Sequence, residues 1–273
     1  MTTPLWNGHR PIIVDPPQAV KECLLSASRS AGIIRSRSGV ALLAARVRPL
    51  RTATVSVHLR RQIDRVKQDL LSLGALVEEQ VQTAVRALLE RDPDLAREVE
   101  RRDAEVDRRE VEVEEECLKT LALYQPVASD LRFVVATLKI NNDLERIGDL
   151  AVNIAHKATL FSQEPPLDLA VDVAEVWQKT QAMLRDSLNA LVNMEVGLAH
   201  SVCMRDDEVD RMKHQIREQA EELIGQHPER ARALIRLMAV TRNLERIADC
   251  ATNVAEDVIY LAEAKIVRHA AEP

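Results

Sequence analysis

Two stretches of this chain carry acidic side chains at helical spacing. Residues 142–155 and 242–255 share Leu, Glu, Arg, Ile, Asp, Ala, Asn and Ala at matched positions, with a shift of 100 residues and no gap. In each copy a Glu, an Asp and an Asn follow one another at intervals of four residues, so they lie on one side of a helix, one turn apart. These residues are Glu145, Asp149 and Asn153 in the first copy and Glu245, Asp249 and Asn253 in the second. Such a row of oxygen atoms is typical either of a solvated helix surface or of a cation site.

A second pair of acids accompanies each copy. Residues 102–107 match residues 205–210 at a shift of 103. Each segment holds two aspartates four residues apart, Asp103 with Asp107 and Asp206 with Asp210. Clustered carboxylates repel one another and lose solvation unless a cation compensates them. If each pair faces its motif helix, each unit gathers four carboxylates and an amide, which suits Mg²⁺, Mn²⁺, Ca²⁺ or iron and, without thiols, disfavours structural zinc.

Other side chains extend or weaken this interpretation. His156 and the matched Glu256 lie one turn beyond the asparagines and are possible additional ligands, as are Asn153 and Asn253 themselves; a polar boundary residue is the alternative for His156. Arg146 and its counterpart Arg246 could neutralise the acids instead of a metal. A metal-free helical scaffold therefore remains open. Four acid pairs in register across an internal repeat favour a site over a solvated surface.

The composition predicts an all-α protein. The chain has 273 residues, of which 46% are hydrophobic but only 2% aromatic, and helices packed through aliphatic side chains are typical of that balance. The four cysteines, Cys23, Cys117, Cys203 and Cys250, are far apart and form no CxxC motif. This argues against a disulfide framework and for a reducing cytosol. A net charge of −6 argues against a nucleic-acid binder.

Hydrophobic periodicity predicts six helices in two tandem three-helix bundles, at residues 58–162 and 166–267. The first helix is expected to begin at His58, and Pro93 to open the second. Ser129 or Asp130 is expected to cap the third helix, which carries the first motif. The fourth is expected to end near Gly197, and the sixth carries the second motif.

Both motif helices are expected to be buried on two faces. The face opposite the acids holds Leu144 and Ile147 in the first copy and Leu244 and Ile247 in the second. The acidic face continues towards the N terminus as Leu131, Val134, Val135 and Leu138, and in the second copy as Ala231, Leu234, Ile235 and Met238. The acids therefore lie at the far end of a stripe whose near end is apolar enough for burial.

Residues 1–57 differ from the rest. Up to about residue 55 they hold eight Arg or Lys against two acids, with prolines and a Ser/Arg-rich run. We expect a basic, disordered extension. Such a segment also resembles an organelle transit peptide and could bind anionic lipid or nucleic acid, or translation could start near Val55.

The duplicated motif resembles the PhoU family, the accessory proteins of phosphate-specific transport and negative regulators of the phosphate-starvation response in bacteria. The resemblance rests on residues 144–149 with Asn153 and on their repetition at 244–249 with Asn253. Residues 73–78 and 125–132 are also similar to the family, and the likeness spans about residues 58–265. The sequence departs from the family at Ala248, where glycine is usual, and in the N-terminal extension, which has no family counterpart.

The resemblance implies two similar three-helix bundles that pair as a homodimer in the cytoplasm, close to the membrane through partners. The implied partners are the ATPase subunit of the phosphate ABC transporter and a sensor histidine kinase, with no nucleic acid. The family binds metal clusters, iron in some members and Mn or Mg as alternatives. Carried over residue by residue, the implied ligands are Asp103, Asp107, Glu145, Asp149, Asp206, Asp210, Glu245 and Asp249.

No nucleophile–base pair, nucleotide motif or phosphate-binding glycine loop is visible in the sequence. We therefore expect an adaptor rather than an enzyme, whose helical faces contact transporter and kinase while metal stiffens each bundle. The enzymatic alternative is a ferritin-like di-iron oxidase, which needs a Glu-x-x-His spacing on two helices that the motif helices lack.

Overall fold

The computed structural model describes the backbone of residues 50–163 and 173–265, and side chains from residue 57 onward. Within these ranges the chain forms six long α-helices and no strand. The helices are α1 (Leu50–Glu90), α2 (Pro93–Tyr124), α3 (Ala128–Ser162), α4 (Val173–Asn193), α5 (Val196–Gln226) and α6 (Ala231–Glu263), with a 3-10 turn at Pro228–Arg230 before α6. The all-α prediction is confirmed. The predicted extension up to residue 49, and residues 164–172 near the predicted boundary between the bundles, lie outside the described residues.

Helices α1, α2 and α3 pack against one another, and so do α4, α5 and α6. The two bundles also touch, through α3 on α6 and through α1 on α4. Two tandem three-helix bundles are therefore confirmed. No helix in the described ranges combines the length and the hydropathy that a membrane span requires.

The start of α2 follows from its local sequence. The carboxylate of Asp92 accepts hydrogen bonds from the backbone N–H groups of Asp94 (2.8 Å) and Leu95 (3.3 Å), and Pro93 occupies the first turn. These contacts satisfy donors that have no partner inside the helix. The helix ends where Gln125 takes a left-handed conformation (φ 46°) and donates to the Leu121 carbonyl.

Three predicted boundaries differ from the structure. Helix α3 begins at Ala128 after an extended Val127, so neither Ser129 nor Asp130 caps it. Helix α1 begins at Leu50, eight residues before His58. The fourth helix ends at Asn193, and Gly197 belongs to the first turn of α5.

The core runs along the motif helices. Leu144, Ile147, Leu244 and Ile247 are fully buried, which confirms the first predicted face; burial of each such side chain contributes about 1.5–3 kcal/mol. The second prediction is only half right, since Val134 and Leu234 are buried but Leu131, Val135 and Ile235 are 40%, 37% and 58% exposed. These three side chains lie on the side of each motif helix that its neighbouring helices leave uncovered.

The two motif helices pack antiparallel across the repeat boundary. Lys139 donates to the Asp257 carboxylate at 3.4 Å, and Asn253 donates to the Asp143 carboxylate at 3.2 Å. Residue numbers thus rise along α3 as they fall along α6. Both contacts lie on the side of α3 that faces the second bundle, and they fix the register between the two motif helices.

Candidate metal sites

The first acidic cluster forms where α2 approaches α3 closely. A Cβ atom placed on Gly148 would lie 3.1 Å from the Val106 Cγ1 atom and 3.9 Å from the Asp103 Oδ1 atom. Glycine at this position therefore lets α2 bring Asp103 against the motif helix. Helix α1 contributes as well, because its Gln80 donates an Nε2 hydrogen to Asp103 Oδ1 at 3.1 Å.

The acids of this cluster act on one another's charge. Burial, with added repulsion from Asp107 and Asp149, raises the pKa of Asp103 above its ordinary value. Burial raises the pKa of Glu145 too, with further repulsion from Asp149, Glu110, Asp107 and Asp103. The structure thus brings the four predicted acids of the first repeat within range of one another's charge, with Asp103 and Glu145 partly buried and Asp107 and Asp149 exposed.

Sequence reasoning missed a fifth carboxylate, that of Glu110. Its pKa is raised by burial and by the charges of Glu114 and Asp107. Asn141, which is fully buried, donates its Nδ2 hydrogens to the backbone oxygen (3.0 Å) and to Oε1 (2.9 Å) of Glu110. The spacing could have revealed it, because a residue three positions after Asp107 lies on the same helix face.

The first cluster contains buried oxygen atoms that lack partners. Gln80 is 1% exposed and Asn141 is 0% exposed, and neither Gln80 Oε1 nor Asn141 Oδ1 has a hydrogen-bond partner among the described residues. Each amide is held through its nitrogen by a carboxylate of the cluster. A buried acceptor without a donor is costly, and a hard cation is one group that satisfies it.

The second cluster repeats the arrangement between α5 and α6. The Thr252 hydroxyl donates to Asp206 Oδ1 at 3.2 Å. Burial and the charges of Glu245, Asp206 and Asp210 raise the pKa of Asp249 to about 6. The predicted acids of the second repeat are therefore also drawn together.

Lys213 distinguishes the second cluster from the first. Its Nζ atom donates to Asp210 Oδ1 at 2.7 Å and to Glu245 Oε1 at 2.7 Å. Burial opposes the charged form of this lysine, but the hydrogen bonds to Asp210 and Glu245 and the charges of these two acids together outweigh burial and raise its pKa. Sequence reasoning missed this residue, because it treated the two copies as equivalent.

The additional candidate ligands have various surroundings. Asn253 donates to Asp143 of the other repeat, whereas the matched Asn153 is exposed. His156 is exposed, with its Nδ1 atom 3.5 Å from Glu100 Oε1. Glu256 lines a cavity of about 420 Å³ that Asn253 also lines. Their role as ligands stays a prediction.

The donor set fits a hard cation better than a soft one. Burial raises the pKa of Cys117 to about 12, of Cys250 to about 12 and of Cys203 to about 11, so these thiols remain protonated and are poor ligands. In the described ranges no three Asp, Glu, His or Cys groups already converge at metal-ligating geometry. Rotation of the carboxylates about their side-chain bonds would be needed to place them around one ion.

Known proteins resemble the chain along both bundles. A sequence model described as the PhoU domain matches residues 70–158 and 173–258. The phosphate-specific transport system accessory protein PhoU homologue of Aquifex aeolicus is 37% identical over 213 residues, which cover 78% of this chain and 96% of that protein. The crystal structure of PhoU from Pseudomonas aeruginosa superposes with a TM-score of 0.74 at 35% identity, covering 76% of this chain and 99% of that one. The phosphate transport system regulatory protein PhoU of Streptococcus pneumoniae gives a TM-score of 0.69 at 27% identity, covering 77% and 99%.

Proposed function

The chain belongs to the PhoU family, and from this membership we propose that it is an accessory protein of a phosphate transport system. The observation that carries the proposal is that both repeats, including both acidic motifs, match the family domain. The relatives are named as accessory proteins of transport, and we accordingly assign this chain a binding role and no catalytic reaction.

We further propose that the chain is a metal-binding adaptor. In the first repeat Asp103 and Asp107 of α2 would hold an ion together with Glu145 and Asp149 of α3. When bound, an Mg²⁺, Mn²⁺ or iron ion supplies the positive charge that offsets the mutual repulsion of these acids. The unpartnered oxygen of Gln80 supports an ion at this place. Because ligands come from two helices, binding would stiffen their packing.

In this role the adaptor forms a homodimer in the cytoplasm and contacts the ATPase subunit of a phosphate ABC transporter and a sensor histidine kinase. It represses the phosphate-starvation response by shifting these partners between contact states. Exposed apolar side chains near the α2–α3 turn supply a surface for such contacts. They are Leu118, Leu123, Val127, Leu131 and Val135.

Deletion of the gene tests the regulatory role. Phosphate-starvation genes should stay active in phosphate-rich medium and return to repression when the wild-type gene is restored. Restoration with Asp103→Asn combined with Asp149→Asn should fail if metal is required, whereas the exposed control Glu115→Gln should succeed. Unchanged expression after deletion would refute the regulatory role, and full repression by the double variant would refute the metal requirement.

The metal-free scaffold remains a second candidate, which the ion pairs of Lys213 in the second repeat favour. Elemental analysis of the purified chain separates the two. A stoichiometric divalent metal that is lost in the Asp103→Asn, Asp149→Asn variant supports the adaptor with metal. No stoichiometric metal in the wild type supports the scaffold.

A further inference from the structure

We propose that the two repeats divide cation binding between them: the first cluster takes a divalent metal ion, whereas Lys213 serves as a built-in cation that keeps metal out of the second. This inference rests on the proposed metal-binding function and specifies which of the two clusters performs it.

The first step concerns the place that Lys213 occupies. Its ammonium group lies 2.7 Å from an oxygen of Asp210 on α5 and 2.7 Å from an oxygen of Glu245 on α6. Both acids belong to the predicted ligand set. A charge-assisted hydrogen bond to each of two carboxylates from different helices gives the same neutralisation and the same cross-link that a bound ion would give.

The second step concerns the matched position in the first repeat. The segment 102–110 aligns with 205–213 at a shift of 103, so Glu110 stands where the second repeat has Lys213. This is a reversal of charge at one position of otherwise similar clusters. The first cluster gathers five carboxylates, while the second has four carboxylates and one ammonium group. Affinity for divalent ions rises with the number of charged oxygen ligands.

The third step concerns the residue that contacts Glu110, which also differs between the repeats. Asn141 holds the Glu110 carboxylate at 2.9 Å, whereas the matched residue of the second repeat, Thr241, donates to the carbonyl of Leu237 in its own helix at 3.1 Å. The first repeat therefore has a buried amide that fixes the extra carboxylate beside Glu145. In the second repeat Lys213 contacts Asp210 and Glu245 directly, and the Thr241 hydroxyl bonds within its own helix.

The fourth step concerns two uncharged side chains of the first repeat. The two buried amide oxygens without hydrogen-bond partners, Gln80 Oε1 and Asn141 Oδ1, both belong to side chains whose nitrogens bind carboxylates of the first cluster. An unpartnered buried acceptor is satisfied by a donor or a cation. In the second cluster the corresponding support for Asp206 is a hydroxyl donor, that of Thr252. Both differences favour metal in the first repeat.

A reciprocal exchange of charge tests the division. Mn²⁺ is titrated into the full-length, chelator-treated protein, and free Mn²⁺ is followed by electron paramagnetic resonance. Wild type should show one class of tight sites. Glu110→Lys should weaken that class at least about tenfold, and Lys213→Glu should add a second tight class. Glu110→Gln and Lys213→Gln should move affinity in the same directions by less, and they replace the charge reversals if those variants fail to fold.

Lys179→Glu is the matched control. Lys179 lies in the same bundle and pairs with Glu208 of α5 at 2.8 Å. Neither residue is among the charges that raise the pKa of Asp249, and the substitution changes the net charge of the chain equally. It should leave the Mn²⁺ titration unchanged.

Three results overturn the inference, and they differ in what they refute. Tight Mn²⁺ sites in the wild type whose number Lys213→Glu does not increase would refute the division while leaving metal binding intact. Absence of Mn²⁺ binding by the wild type and by Lys213→Glu would refute the metal-binding function itself. Equal gains from Lys213→Glu and Lys179→Glu would also refute the division, because net charge alone would then explain the change.

Discussion

The Nδ2 group of Asn253 donates to the Asp143 carboxylate at 3.2 Å, and this contact ties the motif helix of the second repeat to that of the first. The motif has an asparagine at the same place in both copies, yet Asn153 is exposed. Identical residues thus have different surroundings, because the two motif helices pack antiparallel with unequal neighbours.

We expect Asn253→Ala to destabilise the metal-free protein. The substitution removes a partly buried hydrogen bond between repeats, which contributes about 0.5–1.5 kcal/mol. Urea unfolding measures the loss. Asn153→Ala, at the matched exposed position, is the control and should change the free energy of unfolding by no more than about 0.5 kcal/mol. Equal effects of both variants would contradict the bridging role.

The buried motif isoleucines should be equally important in the two repeats. Ile147 and Ile247 are both fully buried, so Ile147→Ala and Ile247→Ala should each cost about 2–5 kcal/mol in urea unfolding. Ile235, which is 58% exposed on α6, provides the control, and Ile235→Ala should cost far less. A small loss at either buried position would show that its bundle repacks.

The close approach at Gly148 predicts an unfavourable Gly148→Ala variant. The added Cβ would lie 3.1 Å from Val106 Cγ1, and overpacking of this kind offsets the gain in helix propensity that alanine brings. At Gly225 no atom lies within 4 Å of an added Cβ, so Gly225→Ala is the control. We expect Gly148→Ala to be less stable than Gly225→Ala by about 1 kcal/mol or more. Thermal or urea unfolding measures the difference, and equal stabilities would contradict it.

The metal-free protein should become more stable as the pH falls from 7.5 to 5.5. Burial and the charges of Glu245 and Asp206 raise the pKa of Asp249 from 3.8 to about 6, so the folded chain binds a proton at a pH where the unfolded chain does not. Stability is then gained as pH falls through about 6 and lost as pH rises. The pKa values of Asp103 and Glu145 are shifted in the same direction.

Scanning calorimetry of chelator-treated protein at several pH values measures this dependence. Because Asp249 is partly exposed, solvent screening limits the rise in Tm to about 1–3 °C. Asp249→Asn should raise the Tm at pH 7.5 and flatten the profile. The exposed control Glu115→Gln should leave the profile unchanged. A wild-type Tm that falls steadily over this range would contradict the prediction.

Much of the fold follows from local sequence signals. The step of three and four residues between aliphatic side chains predicts the six helices, and the buried Leu144 and Leu244 confirm the predicted face. The errors lie at the helix ends. Val127 precedes α3 without a side-chain cap, and the exposure of Ile235 depends on which neighbours surround the helix, which periodicity within one helix does not reveal.

The sequence by itself determined the repeat, its helices and the eight acids, because spacing along a helix decides which residues share a face. It also contained Glu110 and Lys213 at matched positions, yet it gave no reason to connect them with the motif. Only the tertiary structure decided that connection, by packing α2 on α3 and α5 on α6 until Lys213 reached Glu245 at 2.7 Å and Asn141 reached Glu110 at 2.9 Å. Charges on separate helices interact strongly only when they are this close, since the interaction falls off with separation and is screened by water.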